Sequence, residues 1–342
     1  MTDDVRIAIV ILNWNGKHFL EKFLPSVVAH SAGAEIVVAD NGSEDDSVLF
    51  LEKNFSSVRI IRFEKNLGFT GGYNAALNQV KSDYYVLLNS DVEVTSGWLT
   101  PVIGMMENDK SIGAAQPKLL SYNQRDEFEY AGAAGGFIDK YGYPFCRGRI
   151  FLSLEKDKGQ YDDVAPVFWA TGACMFVRAD AFHKVNGFDE NFFAHMEEID
   201  LCWRMQSAGF TIRYCGKSSV YHVGAGTLLK SNPHKTYLNF RNNLFLLYKN
   251  LSPTSFTGIY IFRLLFDAIA AIRFLLGQGG WKEMMAVVNA HADFHRTKKK
   301  LQRNPSFSRS NIYPHSILFD YYLSGRRVFS KLNFSPRGTT HM

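Results

Sequence analysis

Over its first hundred residues the sequence alternates short β-branched apolar runs with stretches of helical periodicity. Arg6 to Leu12, Glu35 to Ala39, Val58 to Phe63 and Tyr84 to Leu88 read as strands, with helix candidates between them. Strands that are continuously apolar and joined through helices belong to a parallel sheet covered on both faces. Such sheets bind ligands outside the carboxyl ends of their strands. Polar sequence follows three of these runs: Asn13-Trp14-Asn15-Gly16, Asp40-Asn41-Gly42-Ser43 and Asn89-Ser90-Asp91. The fold class is therefore α/β, with three polar exits converging on one edge.

After Pro117 the pattern changes. Tyr130 to Phe151 is rich in glycine and aromatics, which suits hairpins or an irregular layer facing an acceptor. Val167 to Val177 reads as a strand interrupted by Thr171-Gly172, Ala179 to Val185 as a short helix, and Glu197 to Ala208 as a helix stopped by Gly209. Thr211 to Cys215 and Val220 to Val223 read as two short strands. Beyond Ser231 the chain is helical and amphipathic, broken at Pro253 and at Gly277-Gln278-Gly279-Gly280.

At 46% apolar and 21% charged, most of the chain should bury a core, leaving disorder for the ends. Its most apolar window, Ile259 to Leu276, is interrupted by Arg263, Asp267 and Arg273, so no spanning helix is expected. That window could instead lie on a membrane surface, or form an ordinary helical cap or dimer surface. The net charge of +5 is uneven: Lys298, Lys299, Lys300, Arg303, Arg309, Arg326, Arg327, Lys331 and Arg337 gather near the end. Such a stretch suits anionic lipid headgroups or a solvated basic face, and no nucleic-acid partner is expected. Cys146, Cys174, Cys202 and Cys215 form no C-x-x-C pair, which indicates neither a zinc site nor a disulfide framework. With no export signal after Met1-Thr2-Asp3-Asp4, a cytoplasmic location is expected, with peripheral attachment to the inner face of the membrane as an open reading.

Four constellations can carry chemistry. Asp91 follows an apolar strand directly, where a carboxylate can hold a hard cation against a diphosphate; a plain Asn-Ser-Asp turn explains it equally well. Asp40 and Asn41 suit a nucleobase or ribose edge, or an N-cap. The turn Asn66-Leu67-Gly68-Phe69-Thr70-Gly71-Gly72-Tyr73-Asn74 leads into a helix whose free N–H groups would favour an anion. It has neither the P-loop ending nor the G-x-G-x-x-G spacing, so neither a kinase nor a dehydrogenase is supported. Glu197, Glu198 and Asp200 open a helix, where the dipole favours carboxylates and one of them could serve as a general base. His222 closes an alternating run, Val220 to Val223, and taken alone reads as a structural histidine.

Together these stretches resemble the inverting family-2 glycosyltransferases of the GT-A fold, particularly the rhamnosyltransferase-like branch, over about residues 5 to 250. The carriers are Ile11 to Asn15, Val38 to Ser43, the Asn66 to Asn74 turn, Leu87 to Asp91, Thr171-Gly172-Ala173, Gly187-Phe188-Asp189, and Glu197 to Arg204. The resemblance implies a Rossmann-like, mostly parallel sheet flanked by helices, with a helical C-terminal extension. A catalytic domain is expected over 1–230, with a nucleotide-binding half to about 115 and an acceptor half from about 116. A helical region over 231–300 and a partly disordered basic tail over 301–342 follow.

The implied activity moves a sugar, rhamnose or another hexose, from a nucleoside-diphosphate donor to a hydroxyl of a glycan or lipid-linked acceptor in surface-polysaccharide synthesis. Asn13, Asn15, Asp40, Asn41, Asn66, Gly68, Gly71, Gly72, Asn74, Asn89, Ser90 and Asp91 are then donor-side. Trp169, Thr171, Gly172 and Asp200 are acceptor-side. Asp91 with His222 holds Mg2+ or Mn2+. Asn89 replaces the first acid of the family's D-x-D element, which leaves one carboxylate for the cation. The base is Glu198, where relatives carry Asp, with Glu197 the alternative. A sugar-phosphate nucleotidylyltransferase and a non-catalytic nucleotide-sugar-binding protein are the competing readings. The first ordinarily needs a basic glycine-rich loop that Asn13-Trp14-Asn15-Gly16 does not supply.

Overall fold

The computed structural model describes residues 5–224, 232–277, 279–304 and 311–336. The start of the chain, Gln278, Arg309 and Arg337, each invoked above, lie outside the described residues.

The first half builds β1 (Ile7–Asn13), α1 (Lys17–His30), β2 (Ala34–Asp40), α2 (Ser47–Asn54), β3 (Arg59–Arg62), α3 (Gly68–Leu77), β4 (Tyr84–Asn89), β5 (Val92–Val94), α4 (Leu99–Asn108) and β6 (Ile112–Ser121). Four short strands follow: β7 (Gly136–Ile138), β8 (Pro144–Cys146), β9 (Arg149–Ile150) and β10 (Ser153–Leu154). Then come β11 (Val164–Pro166), β12 (Cys174–Arg178), α5 (Ala179–Lys184), α6 (Glu197–Ser207) and β13 (Thr211–His222). The helices α7 (Pro233–Asn250), α8 (Pro253–Leu276), α9 (Gly280–Thr297) and α10 (Ile317–Tyr322) complete it.

The main sheet runs β11-β13-β6-β12-β4-β1-β2-β3, with β5 paired to β13. Strands β3, β2, β1 and β4 are mutually parallel, as are β6 and β13; β12, β11 and β5 run the other way. Alternation within the apolar runs serves two cores at once. Ile7, Ile9 and Ile11 face one layer with Leu20, Leu24 and Val27 of α1, while Ala8 and Val10 face the other with Tyr73, Ala76 and Leu77 of α3. Both faces of β1 are thereby dry, and only its carboxyl end reaches polar surroundings.

Two local expectations change. Val167 and Trp169 bond to the backbones of Ile212 and Gly136, the N–H groups of Ala170, Thr171 and Ala173 go to side chains, and the strand beside β4 starts at Cys174. The two short strands after Gly209 are one element, β13, whose register slips between Cys215 and Ser219 and which then resumes along β6 to His222. The glycine-rich stretch forms the antiparallel sheet β10-β9-β8-β7.

The C-terminal stretch expected as a tail is packed over residues 311–336. Tyr313, Ile317, Phe329 and Leu332 are buried in the main core against Phe137 and Phe145. Tyr313 donates its N–H to Ile138 O at 2.9 Å and its hydroxyl to Asp320 at 2.7 Å. This part of the chain supplies apolar side chains that the small sheet lacks. Tyr313→Ala should therefore cost about 3–5 kcal/mol, the usual range for a buried aromatic. Thermal or urea unfolding reads it, and an unchanged midpoint would mean that the segment does not dock.

Candidate active site

The parallel strands end in register, Asn13 opposite Asp40 and Leu12 opposite Asn89, so their polar exits share one edge. Asn13 is fully buried and donates to Asp40 Oδ2 at 3.1 Å, while Asp40 Oδ1 accepts the Ser43 N–H at 3.0 Å. Asn15 sits at φ 50°, a left-handed conformation that Asn tolerates, and its Oδ1 caps the N–H groups of Glu44 and Asp45. These bonds shape a cleft of about 620 Å³, lined by Trp14, Asp40, Ser43, Phe63 and Asn66 among others. Trp14 is 56% exposed there, an aromatic face left open beside a carboxylate. Asn41 lies behind the cleft, donating to Asn66 and to Gly68 O.

The glycine turn is not an anion cradle. The N–H groups of Leu67 and Gly68 are taken by Asn41 and Asn66, and those of Phe69 and Thr70 by Phe193 O. Gly68, at φ 75°, lies under the Phe193 ring, where a Cβ would come within 2.5 Å. A Cβ on Gly72 would meet Leu12 at 2.7 Å, and one on Gly71 would press on Leu67 at 3.2 Å. Asn74 exchanges bonds with the Phe188 backbone and donates to Glu190. Gly68, Gly71, Gly72 and Asn74 thus pack and brace the turn.

At the Asn89-Ser90-Asp91 turn, β13 delivers His222 from across the sheet. His222 Nε2 lies 3.1 Å from Asp91 Oδ1 and 3.4 Å from Asn89 Nδ2, and Nδ1 lies 3.3 Å from Glu129 Oε2 without hydrogen-bond geometry. Burial pushes the imidazole down, but the Asp91 hydrogen bond and the nearby carboxylates of Asp91 and Glu129 outweigh it and raise the group to about 10. Glu129 carried no motif in the sequence; only its backbone bond to Leu119 of β6, the strand beside β13, brings it to His222. Ser90 borders the same turn, its Oγ 3.6 Å from where a Cβ on Gly16 would sit.

Among the described residues no three His, Cys, Asp or Glu side chains form a ready metal cage. Asp91 and His222, 3.1 Å apart, would supply one carboxylate and one imidazole to a cation whose remaining positions fell to phosphate oxygens. The imidazole would have to lose its proton first.

The helix α6 begins from a strained loop. Phe193, His195 and Met196 all have positive φ, 64°, 70° and 69°, although none is glycine. Such a conformation persists only where its surroundings hold it. Asn242 of α7 does so, its Nδ2 facing the carbonyls of Phe192, Ala194 and His195 at 2.7–2.9 Å, and Arg241 adds bonds to Asn191 and Phe192.

The loop presents two adjacent acids. Glu197 is 5% exposed, and burial, then the charge of Glu198, raises it well above the usual carboxylate range. Glu198 is half-buried, and burial raises it to about 7 against the pull of the Glu198 and Ile199 backbone N–H groups. The Oε2 atom of each has no hydrogen-bond partner among the described residues. Burial raises the Cys146 thiol, Arg149 pulls it back down, and Glu129 and Glu198 add smaller upward pushes.

The expected acceptor-side residues do not reach the cleft. Trp169 is 3% exposed and donates to Phe137 O at 3.0 Å beneath Gly136. Thr171 accepts the Ala173 N–H, and Gly172 packs toward Phe69. Asp200 is fully buried. Burial pushes its carboxyl up, but Arg204 and Lys249, helped by the Asn250 hydrogen bond, bring it down to about 2. All four are buried and make contacts within the fold.

Residues 8–185 match the profile of Glycosyl transferase family 2. The chain belongs to that family. This family-2 glycosyltransferase is similar to the N-acetylglucosaminyl-diphospho-decaprenol L-rhamnosyltransferase of Mycobacterium tuberculosis, at 27% identity over 65% of this chain and 76% of the relative. It is also similar to Rhamnosyltransferase WbbL of Escherichia coli, at 26% identity over 61% of this chain and 80% of that protein. In fold it resembles S. aureus TarS 1-349 in complex with UDP-GlcNAc, with a TM-score of 0.56 at 15% identity, covering 84% and 80% of the two chains. GalNAc-T7 with UDP, GalNAc and Mn2+ aligns with a TM-score of 0.59 at 15% identity, over 90% of this chain and 59% of that one. The fold is GT-A, and the nucleotidylyltransferase reading falls away.

In this glycosyltransferase, Asn242→Ala would strip donors from three carbonyls of the catalytic loop, at about 1–3 kcal/mol for a buried group left unsatisfied. The expected result is a lower unfolding midpoint and reduced turnover with nucleoside-diphosphate affinity retained. Full activity in that variant would refute the clamp.

Proposed function

We propose that this enzyme transfers rhamnose or another hexose, with inversion, from a nucleoside-diphosphate donor to a hydroxyl of a glycan or lipid-linked acceptor in surface-polysaccharide synthesis. The observation that carries the reading is the pair of half-satisfied acids that open α6, both raised by burial, in a chain whose strand ends carry Asp40, Asp91 and His222. The rhamnosyltransferase names of the relatives, one with a diphospho-decaprenol acceptor, support the sugar and the lipid-linked class.

Asp40, with Trp14 and Asn66 around the cleft, receives the nucleoside. Asn13 and Asn15 do not touch it; they fix Asp40 and the Ser43 turn. Asp91 and His222 are the residues that would hold Mg2+ or Mn2+, which when bound supplies positive charge for the departing diphosphate. Asn89 orients His222 from the other side. Glu198 takes the proton from the acceptor hydroxyl, whose oxygen attacks the anomeric carbon as the diphosphate leaves. Its carboxyl near 7 suits a base at neutral pH, whereas Glu197 is raised further and more deeply buried.

A base must be ionised to act, so transfer by the wild type should rise as pH increases through about 7. Glu198→Gln should abolish transfer while keeping donor affinity; near-normal turnover in that variant would shift the role to Glu197. Calorimetric titration of Asp91→Ala with nucleoside diphosphate and Mn2+ should show loss of the cation-dependent part of the affinity. Unchanged metal-dependent binding would remove Asp91 from the donor site.

A further inference from the structure

Helix α8 is built inside out. Its buried face carries the charges: Arg263 pairs with Asp267 at 3.1 and 3.2 Å, and Asp267 also receives His291 of α9 at 3.1 Å and the Tyr143 hydroxyl at 3.3 Å. The outward face carries Ile261, Leu264, Leu265, Ile269, Ile272 and Leu276, from 45% to 82% exposed. Every exposed position from Gly258 to Ile272 is Gly, Ala, Leu or Ile. A helix facing water shows the opposite arrangement.

The apolar surface continues past this helix. Phe319 of α10 packs edge-on against Phe266, 5.6 Å between ring centres, and leaves 43% of itself outside, beside the exposed Tyr322 and Leu323. Trp281, at the start of α9, is 63% exposed. An apolar tract of this size, running along a helix of about 36 Å, exceeds the scattered exposed residues of an ordinary soluble surface. It does not cross a bilayer: among the described residues no helix is long and apolar enough to do so.

Charge selects the occupant. The last ninety-two residues hold thirteen Lys and Arg against four Asp and Glu. Of these, Arg273, Lys282 and Arg327 are exposed on α8, α9 and the segment after α10, and Arg273 lies over the Tyr322 ring at 5.6 Å. A second copy placed face to face would bring two basic rims together, whereas anionic headgroups would neutralise them.

We propose that the outward face of α8, with Phe319, Tyr322, Leu323 and Trp281, is a docking surface for an anionic lipid bilayer. The Ile and Leu side chains enter the headgroup boundary, Trp281 and Tyr322 sit at headgroup level, and the basic rim pairs with lipid phosphates. Docking does not depend on which sugar is transferred, so vesicle binding and donor binding are separate readouts.

The test is flotation of the intact chain with vesicles of phosphatidylglycerol and phosphatidylethanolamine, beside vesicles of phosphatidylcholine alone. The wild type should float with the anionic vesicles, less so at high salt, and weakly with phosphatidylcholine. The triple variant Leu265→Glu, Ile269→Glu, Ile272→Glu should lose at least about a hundredfold in partitioning, because each Leu or Ile contributes about tenfold or more. Its nucleoside-diphosphate affinity should be unchanged, which also reports that it is folded. Arg273→Glu with Arg327→Glu should weaken binding to anionic vesicles and leave the phosphatidylcholine baseline alone. A wild type that stays unbound, a triple variant that floats equally well, or a wild-type dimer that the triple variant splits into monomers would each overturn the proposal.

Discussion

The buried charge cluster at Asp200 joins the halves of this molecule. Asp200 receives Arg204 Nε at 2.7 Å, Lys249 Nζ at 3.0 Å and Asn250 Nδ2 at 2.8 Å, and Lys249 also pairs with Asp189. A buried ion network of this kind is weak as a source of net stability but severe when broken, since removing one partner strands the others at about 3–5 kcal/mol. Its value here is positional: it ties α6 to α7, one turn-pair away from Asn242, which holds the left-handed loop in front of Glu197 and Glu198. The C-terminal helices are therefore part of the machinery that shapes the site.

Much of the donor edge was legible because the parallel-strand pattern dictates it. Apolar runs that are dry on both faces can place polar groups only at their ends, so Asn13, Asp40 and Asp91 had to share an edge. What each polar group does there was less legible. A glycine that clears space for an anion and a glycine that clears space for Phe193 or Leu12 look alike in a sequence, since both simply omit a Cβ. The same holds for Asp200, whose neighbours Arg204 and Lys249 are four and forty-nine positions away. The shorter spacing is visible on a helix; the longer one is tertiary.

Glu129, Asn242 and the strain at Phe193, His195 and Met196 left almost no local signal. Positive φ without glycine is imposed by the surroundings, and the one local trace of it is the polar run Arg241-Asn242-Asn243 between Phe240 and Leu244. Helix α8 shows a related limit. Periodicity separates its charged stripe from its apolar one, but burial decides which stripe faces inward. Because Asn243, His291 and Tyr143 supply partners for Arg263 and Asp267, the charged stripe could turn in and the apolar one was left outside.

The two acids at α6 illustrate how a fold selects one base from a pair. Both lie at the positive end of a helix, which favours ionisation, and both are desolvated, which opposes it. Glu198 is the more open and is raised only to about 7, so its proton leaves first. Once it is charged, Glu197, already held up by burial, faces a like charge and keeps its proton. A single negative charge at the mouth of α6 is the stable outcome at neutral pH.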